Sequence, residues 1–194
     1  MKKQVSLLSG IMAFMVLVAF TPINDTYYTV DGKASTVKWV GSKITGSSHE
    51  GTVMVSEGGL QIQEGKIVNG KFTIDMTSIN VTDLDGGMKG KLEGHLKNED
   101  FFDVEKHKNA FLAITGMDGE NAKGSLTIKG ITQEISFPVK MGMANNQLTA
   151  TAKIQVDRTK FDVRYGSDSF FDNLGDKAIN NIIEFEVNLV ANAK

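Results

Sequence analysis

Gln147–Asp157 reads QLTATAKIQVD, and its alternation is strict. Leu148, Ala150, Ala152, Ile154 and Val156 fall on one side; Thr149, Thr151, Lys153 and Gln155 fall on the other. A period of two residues belongs to an extended strand with one dry and one wet face. At about 3.4 Å per residue the stretch spans roughly 37 Å. A strand that long needs its whole dry side covered. Without a second set of helices to cover it, the sheet must curl into a barrel or pack as a sandwich.

The same pattern runs outward in both directions. IIEFEVNLV sets Ile183, Phe185, Val187 and Leu189 against Glu184, Glu186 and Asn188. EISFPVKMGM alternates Ile135, Phe137, Val139, Met141 and Met143, and Asn145-Asn146 then turns the chain. GSLTIKG carries Leu126 and Ile128, and FLAIT precedes it. Towards the amino end, KFTIDMTSI presents Phe72, Ile74 and Met76, SHEGTVMVSEG presents Val53 and Val55, and ASTVKWVGSKI presents Val37 and Trp39. Glycines at 58, 59, 65, 119 and 130 mark turns or bends. The result is eight or more strands and no βαβ alternation, so the sheet is expected to be all-β and antiparallel.

One long stretch breaks the alternation. Met88, Leu92 and Leu96 recur every four residues, a helical stripe over about residues 86–98, with Asp83 or Asp85 as candidate caps. Gly86, Gly90 and Gly94 recur on the other side. Each interior glycine costs about 1 kcal/mol against alanine, so packing must hold this helix. LEGHLKNEDFFDVEKHKNAF, residues 92–111, carries His95, Phe101-Phe102 and His107 from that helix into a loop, a candidate cover for a barrel mouth.

Composition narrows the function classes. The 194 residues suit one domain, and the net charge of -2 argues against a nucleic-acid partner. With no cysteine there is no disulfide, no thiolate nucleophile and no lipoprotein anchor. Lys2 and Lys3 precede an apolar run at residues 7–20, with no acid among the first 20 residues. That is the pattern of a secretory signal, taken as residues 1–20, and it is short for a spanning helix. The folded domain is taken as 24–194, in a periplasmic or secreted protein.

The chemistry on offer is mostly apolar. His49, His95 and His107 lack metal-pair spacing, and no G-x-S-x-G or P-loop occurs. No catalytic residue and no metal ligand is therefore assigned. The inner faces mix Phe72, Phe137 and Phe185 with Ala150 and Ala152 and with methionines, which adapt to irregular apolar shapes. They can surround either a filled core or a cavity. Arg158 and Arg164, the only arginines, stand with Tyr165 in DRTKFDVRYGS. They either close a barrel end or hold an anionic head group. Phe170-Phe171 nearby suit a membrane rim or a ligand entrance.

Four segments, SKITGSSHEGTV (42–53), GHLKNEDFFDVEKH (94–107), GSLTIKGITQEISFPV (124–139) and DRTKFDVRYGS (157–167), occur in order over nearly the whole chain. Together they resemble the YceI-like, lipocalin-like proteins of the bacterial periplasm. The resemblance implies an eight-stranded antiparallel β-barrel with a helix at one side. It also implies non-catalytic binding of a polyisoprenoid or similar long amphiphile, an isoprenoid quinone or polyprenyl phosphate among them, and a link to stress responses in some members. Many members carry proline where Lys108 stands and glycine where Asp162 stands.

On this reading the ligand lining is Trp39, Phe72, Ile74, Met76, Leu92, Leu96, Phe101, Phe137 and Phe185, with His95, Arg158, Arg164 and Tyr165 as candidate head-group contacts. The partners are an amphipathic lipid, a membrane touched transiently, and a second copy if the barrel leaves an edge strand exposed. Two alternatives stay open. One is an enzyme using His95 with Asp100 or Arg158; the other is a stress-associated interaction protein with no interior void of about 300 Å³ or more.

Overall fold

An alternating strand can bury its dry face if the sheet curls round it, and here the sheet closes completely. The computed structural model describes residues 25–194, so the expected signal at 1–20 lies outside the described residues. The strands are β1 (Thr26–Val30), β2 (Thr36–Ser42), β3 (Ser48–Gln63), β4 (Lys66–Val81), β5 (Asn109–Asp118), β6 (Asn121–Ile128), β7 (Ile131–Ala144), β8 (Gln147–Asp157) and β9 (Ile182–Ala193). One helix, α1 (Gly86–Lys97), joins β4 to β5.

All pairings between strands are antiparallel, and β3 to β9 follow one another round the barrel. β1 and β2 share the remaining position. Each lies between β3 and β9, β1 against residues 59–62 and 191–193, β2 against residues 48–53 and 184–188. They are one stave in two pieces, so the barrel has eight positions. Asp31 makes the break: its Oδ1 accepts from the Lys33 and Ala34 N–H groups, while the Ser35 Oγ accepts from the Val190 N–H. Every strand has a neighbour on each side, but the β7–β8 ladder stops at Val139↔Ala152, so β7 over 131–138 is paired with β6 alone.

The two ends differ. At one, tight turns at Glu64-Gly65, 119–120 and Asn145-Asn146 join neighbouring strands. Both Asn145 (φ 50°) and Asn146 (φ 62°) are left-handed, as a two-residue hairpin whose twist matches its strands requires. Leu148 and Ala191, both wholly buried, plug the barrel there. The other end carries the long connections, 82–108 with α1 and 158–181, and forms the mouth.

The helix forms where the four-residue stripe places it, but the stripe is not its buried face. Met88 is 66% exposed, Leu92 is half-buried and only Leu96 is buried. Asp85 occupies the cap position but its side chain bonds no helix N–H, and Asp83 instead accepts from the Glu50 N–H and pairs with His49. Polar ties hold the helix to the end of β4: the Val81 N–H donates to Glu93 Oε1 at 2.9 Å, and Lys89 Nζ donates to Asn80 Oδ1 at 2.8 Å.

No neighbour lies within 4 Å of where a Cβ would stand on Gly90 or Gly94. Gly90→Ala and Gly94→Ala should therefore each raise unfolding stability, by up to about 1 kcal/mol, in urea titrations. Gly51→Ala should do the opposite. Its Cβ would stand 2.0 Å from the Asn80 carbonyl oxygen and 2.5 Å from the Trp39 ring, and overpacking of this kind costs about 1–3 kcal/mol.

Candidate ligand-binding cavity

In a closed barrel, an inward side chain keeps accessible surface only if the interior is hollow. On β2 and β3, Val37, Trp39, Val53 and Val55 are all buried. Round the rest of the barrel, Leu112, Leu126, Ile135, Val139, Ala152, Phe185 and Val187 point inward yet remain half-buried. They border a cavity of about 200 Å³. It is smaller than the roughly 300 Å³ at which pockets for drug-sized ligands begin, but the core is not filled. Its lining is aliphatic and aromatic apart from Thr151, Arg158 and Asn180.

Trp39, Phe72, Ile74, Met76, Leu96, Phe101, Phe137 and Phe185 all line this space. Leu92 does not, which corrects the expectation: it packs half-buried against the outside of the core, one turn before the helix reaches the mouth. Most further lining positions, such as Val139, Ile154, Ile183 and Val187, lie on the dry sides of strands already legible by alternation. Ile79 is an exception. Met76 and Ile79 both line the cavity because β4 bulges between the Thr52↔Asn80 and Met54↔Asp75 pairs. Asp75 Oδ1 accepts from the Thr77 N–H, and Ser78 Oγ accepts from the Met54 N–H, which fixes the bulge. Period two fails across such an insertion.

The mouth is built on Arg158, which begins a 3-10 turn directly after β8 and is 1% exposed. Its Nε donates to the Asn180 carbonyl at 3.0 Å, Nη1 to those of Val163 and Tyr165 at 2.8 and 2.9 Å, and Nη2 to that of Ile179 at 3.0 Å. Phe101 lies 5.7 Å from the guanidinium carbon. Burial lowers the Arg158 pKa, and Asp157 and Asp168 oppose that shift. The group still carries its charge at neutral pH. One guanidinium thus ties both arms of the 158–181 loop to the end of β8. Four of its five N–H groups are spent on carbonyls, leaving one on Nη2.

The other candidate head-group residues surround Arg158 without joining it in the lining. The His95 ring packs edge-on against Tyr165 at 4.3 Å and Phe101 at 5.6 Å, and its Nε2 is buried with no hydrogen-bond partner among the described residues. Tyr165 is 46% exposed. Arg164 faces outward, a correction to its head-group role: its Nε bonds Asp162, and its guanidinium lies 4.9 Å from the Phe170 ring centroid. Asp100 is exposed, with its N–H bound to Asn98 Oδ1. The loop carrying Phe101 and Phe102 is ordered by its own backbone. Phe102 N–H donates to Leu96, Val104 N–H to Lys97 and Asp103 N–H to Asn98. Among the described residues no group of three His, Cys, Asp or Glu side chains is placed to hold a metal ion.

A sequence profile of the YceI-like domain matches residues 28–191. The chain belongs to the YceI-like family. A search of curated proteins finds no match. Among solved structures, Burkholderia cenocepacia BcnA superposes with a TM-score of 0.66 at 20% identity, covering 83% of this chain and 98% of that one. A polyisoprenoid binding domain from Saccharophagus degradans, implicated in plant cell wall breakdown, gives 0.63 at 14% identity, covering 86% and 98%. The Campylobacter jejuni YCEI protein gives 0.52 at 16%, covering 100% and 99%. These likenesses show a shared YceI-like barrel.

The structure also accounts for one departure from the family pattern. Asp162 closes the 3-10 turn with φ at 59°, a left-handed conformation that glycine adopts at no steric cost. Asp162→Gly should leave stability unchanged or raise it by up to about 1 kcal/mol. Arg158→Lys should lower it by about 3 kcal/mol in the same denaturant titration, because one ammonium cannot reach carbonyls spread around a planar fork and leaves some of them buried and unpaired.

Proposed function

We propose that this protein binds an isoprenoid or similar long-chain amphipathic lipid non-catalytically, with the apolar tail in the barrel and the polar end at the mouth. The observation that carries the reading is the cavity: apolar along its walls, plugged by Leu148 and Ala191 at one end, and meeting a buried guanidinium at the other. Burying a methylene contributes roughly 0.8 kcal/mol, so a dry tube needs no catalytic group to hold its ligand. Family membership and the likeness to a domain described as polyisoprenoid binding support the same reading.

At the mouth, the remaining Nη2 N–H of Arg158 and the unpartnered His95 Nε2 are the donors that a quinone carbonyl or a prenyl phosphate oxygen would accept from. Ile44, Tyr165, Phe170 and Phe171 are exposed around the same end and would meet a membrane during loading. A periplasmic or secreted carrier, store or scavenger fits these features. The modest cavity volume favours a second reading, an interaction protein that carries no lipid.

Native mass spectrometry of protein purified from its own host separates the two, and co-purified apolar ligand is expected. Adding a prenyl lipid to stripped protein at about a hundred times its dissociation constant should stabilise by about 2.7 kcal/mol, and so raise the midpoint of thermal unfolding by about 5–10 °C. Ligand-free protein from the host, together with an unmoved midpoint, would leave the interaction protein as the better account.

A further inference from the structure

We propose that the chain seated in this barrel is short, about ten to twenty carbons or two to four isoprene units. This deepens the reading above and rests on it. The first argument is volume. An apolar cavity of about 150 Å³ accommodates one benzene, and at the tightest a water-sized occupant needs about 10–15 Å³. The 200 Å³ in this barrel therefore takes between about eight and twenty heavy atoms.

The second argument is that the hollow has fixed bounds. The β7 side chains that line it run from Ile135 to Val139, which is about 14 Å of strand. Below them Leu60 and Ile67 are 3% and 4% exposed, and Leu148 is wholly buried. Opposite, β2 and β3 pack tightly around Trp39. Carbons beyond the filled length lie outside the hollow, towards Phe101 and Phe102 at the mouth, and gain nothing from the barrel. Inside, each buried methylene multiplies affinity about fourfold. Affinity should therefore climb steeply with length and then stop.

The test is a ladder of prenyl alcohols of 10, 15, 20 and 40 carbons, delivered from cyclodextrin and competed against a fluorescent apolar probe. Affinity should rise at least tenfold from 10 to 15 carbons and change less than threefold from 20 to 40. Ala152 lies half-buried on the inner wall and lines the cavity, into which a larger side chain would project. Ala152→Leu should weaken the 15-carbon alcohol at least tenfold while moving the 10-carbon one less than threefold. Val139→Leu, on the neighbouring strand, should shift the ladder in the same direction and serves if the first variant fails a urea-stability check. A rise of tenfold or more from 20 to 40 carbons, or folded variants with an unchanged ladder, would overturn the length limit while leaving lipid binding intact. Failure of every alcohol to bind would overturn both.

Discussion

Closure of the sheet is the constraint on which the rest of this structure depends. Eight positions, each with a neighbour on both sides, close the sheet into a barrel. Side chains then decide how much of the interior remains empty. Trp39 and the valines of β2 and β3 are buried, while Leu112, Leu126, Ile135, Val139, Ala152, Phe185 and Val187 on β5 to β9 keep surface on the hollow. The split first stave shows how strongly closure is enforced. The chain leaves the sheet for five residues at 31–35, and hydrogen bonds from Asp31 and Ser35 to β9 keep its two pieces in one line.

The two ends solve different problems. Hairpins close the floor cheaply, because residues such as Asn145 and Asn146 tolerate left-handed backbone, and Leu148 fills the space between them. The mouth needs long connections, and long connections bring backbone carbonyls into a half-buried setting where water no longer serves them. Arg158 answers that need by gathering four of them on one side chain. Its charge is met by backbone dipoles, with no carboxylate among its hydrogen-bond partners. That combination suits the polar end of an otherwise apolar molecule.

Much of this was legible in the residues. Strict alternation over β7, β8 and β9 announced inward faces, and of the nine residues expected to line the interior, on β2, β4, the helix, its loop, β7 and β9, eight border the cavity. The misses have separate physical causes. Leu92 shares a helical stripe with Leu96, but a 12-residue helix laid across a barrel mouth buries its last turn and leaves its first exposed. Ile79 escaped because a bulge resets the period. Arg164 and Arg158 look alike as residues in DRTKFDVRYGS, yet one lies over Phe170 in solvent while the other is sealed beneath Phe101.

By itself the amino-acid sequence determined the class of fold, the end at which the helix would sit and the apolar character of the interior. Those follow from local periodicity, which each strand or helix carries in its own residues. The tertiary structure alone decided the volume of the cavity, the side of the barrel on which it opens and the clamp made by Arg158. They depend on which atoms meet across the barrel, and contacts between residues far apart in the chain leave no periodic trace along it.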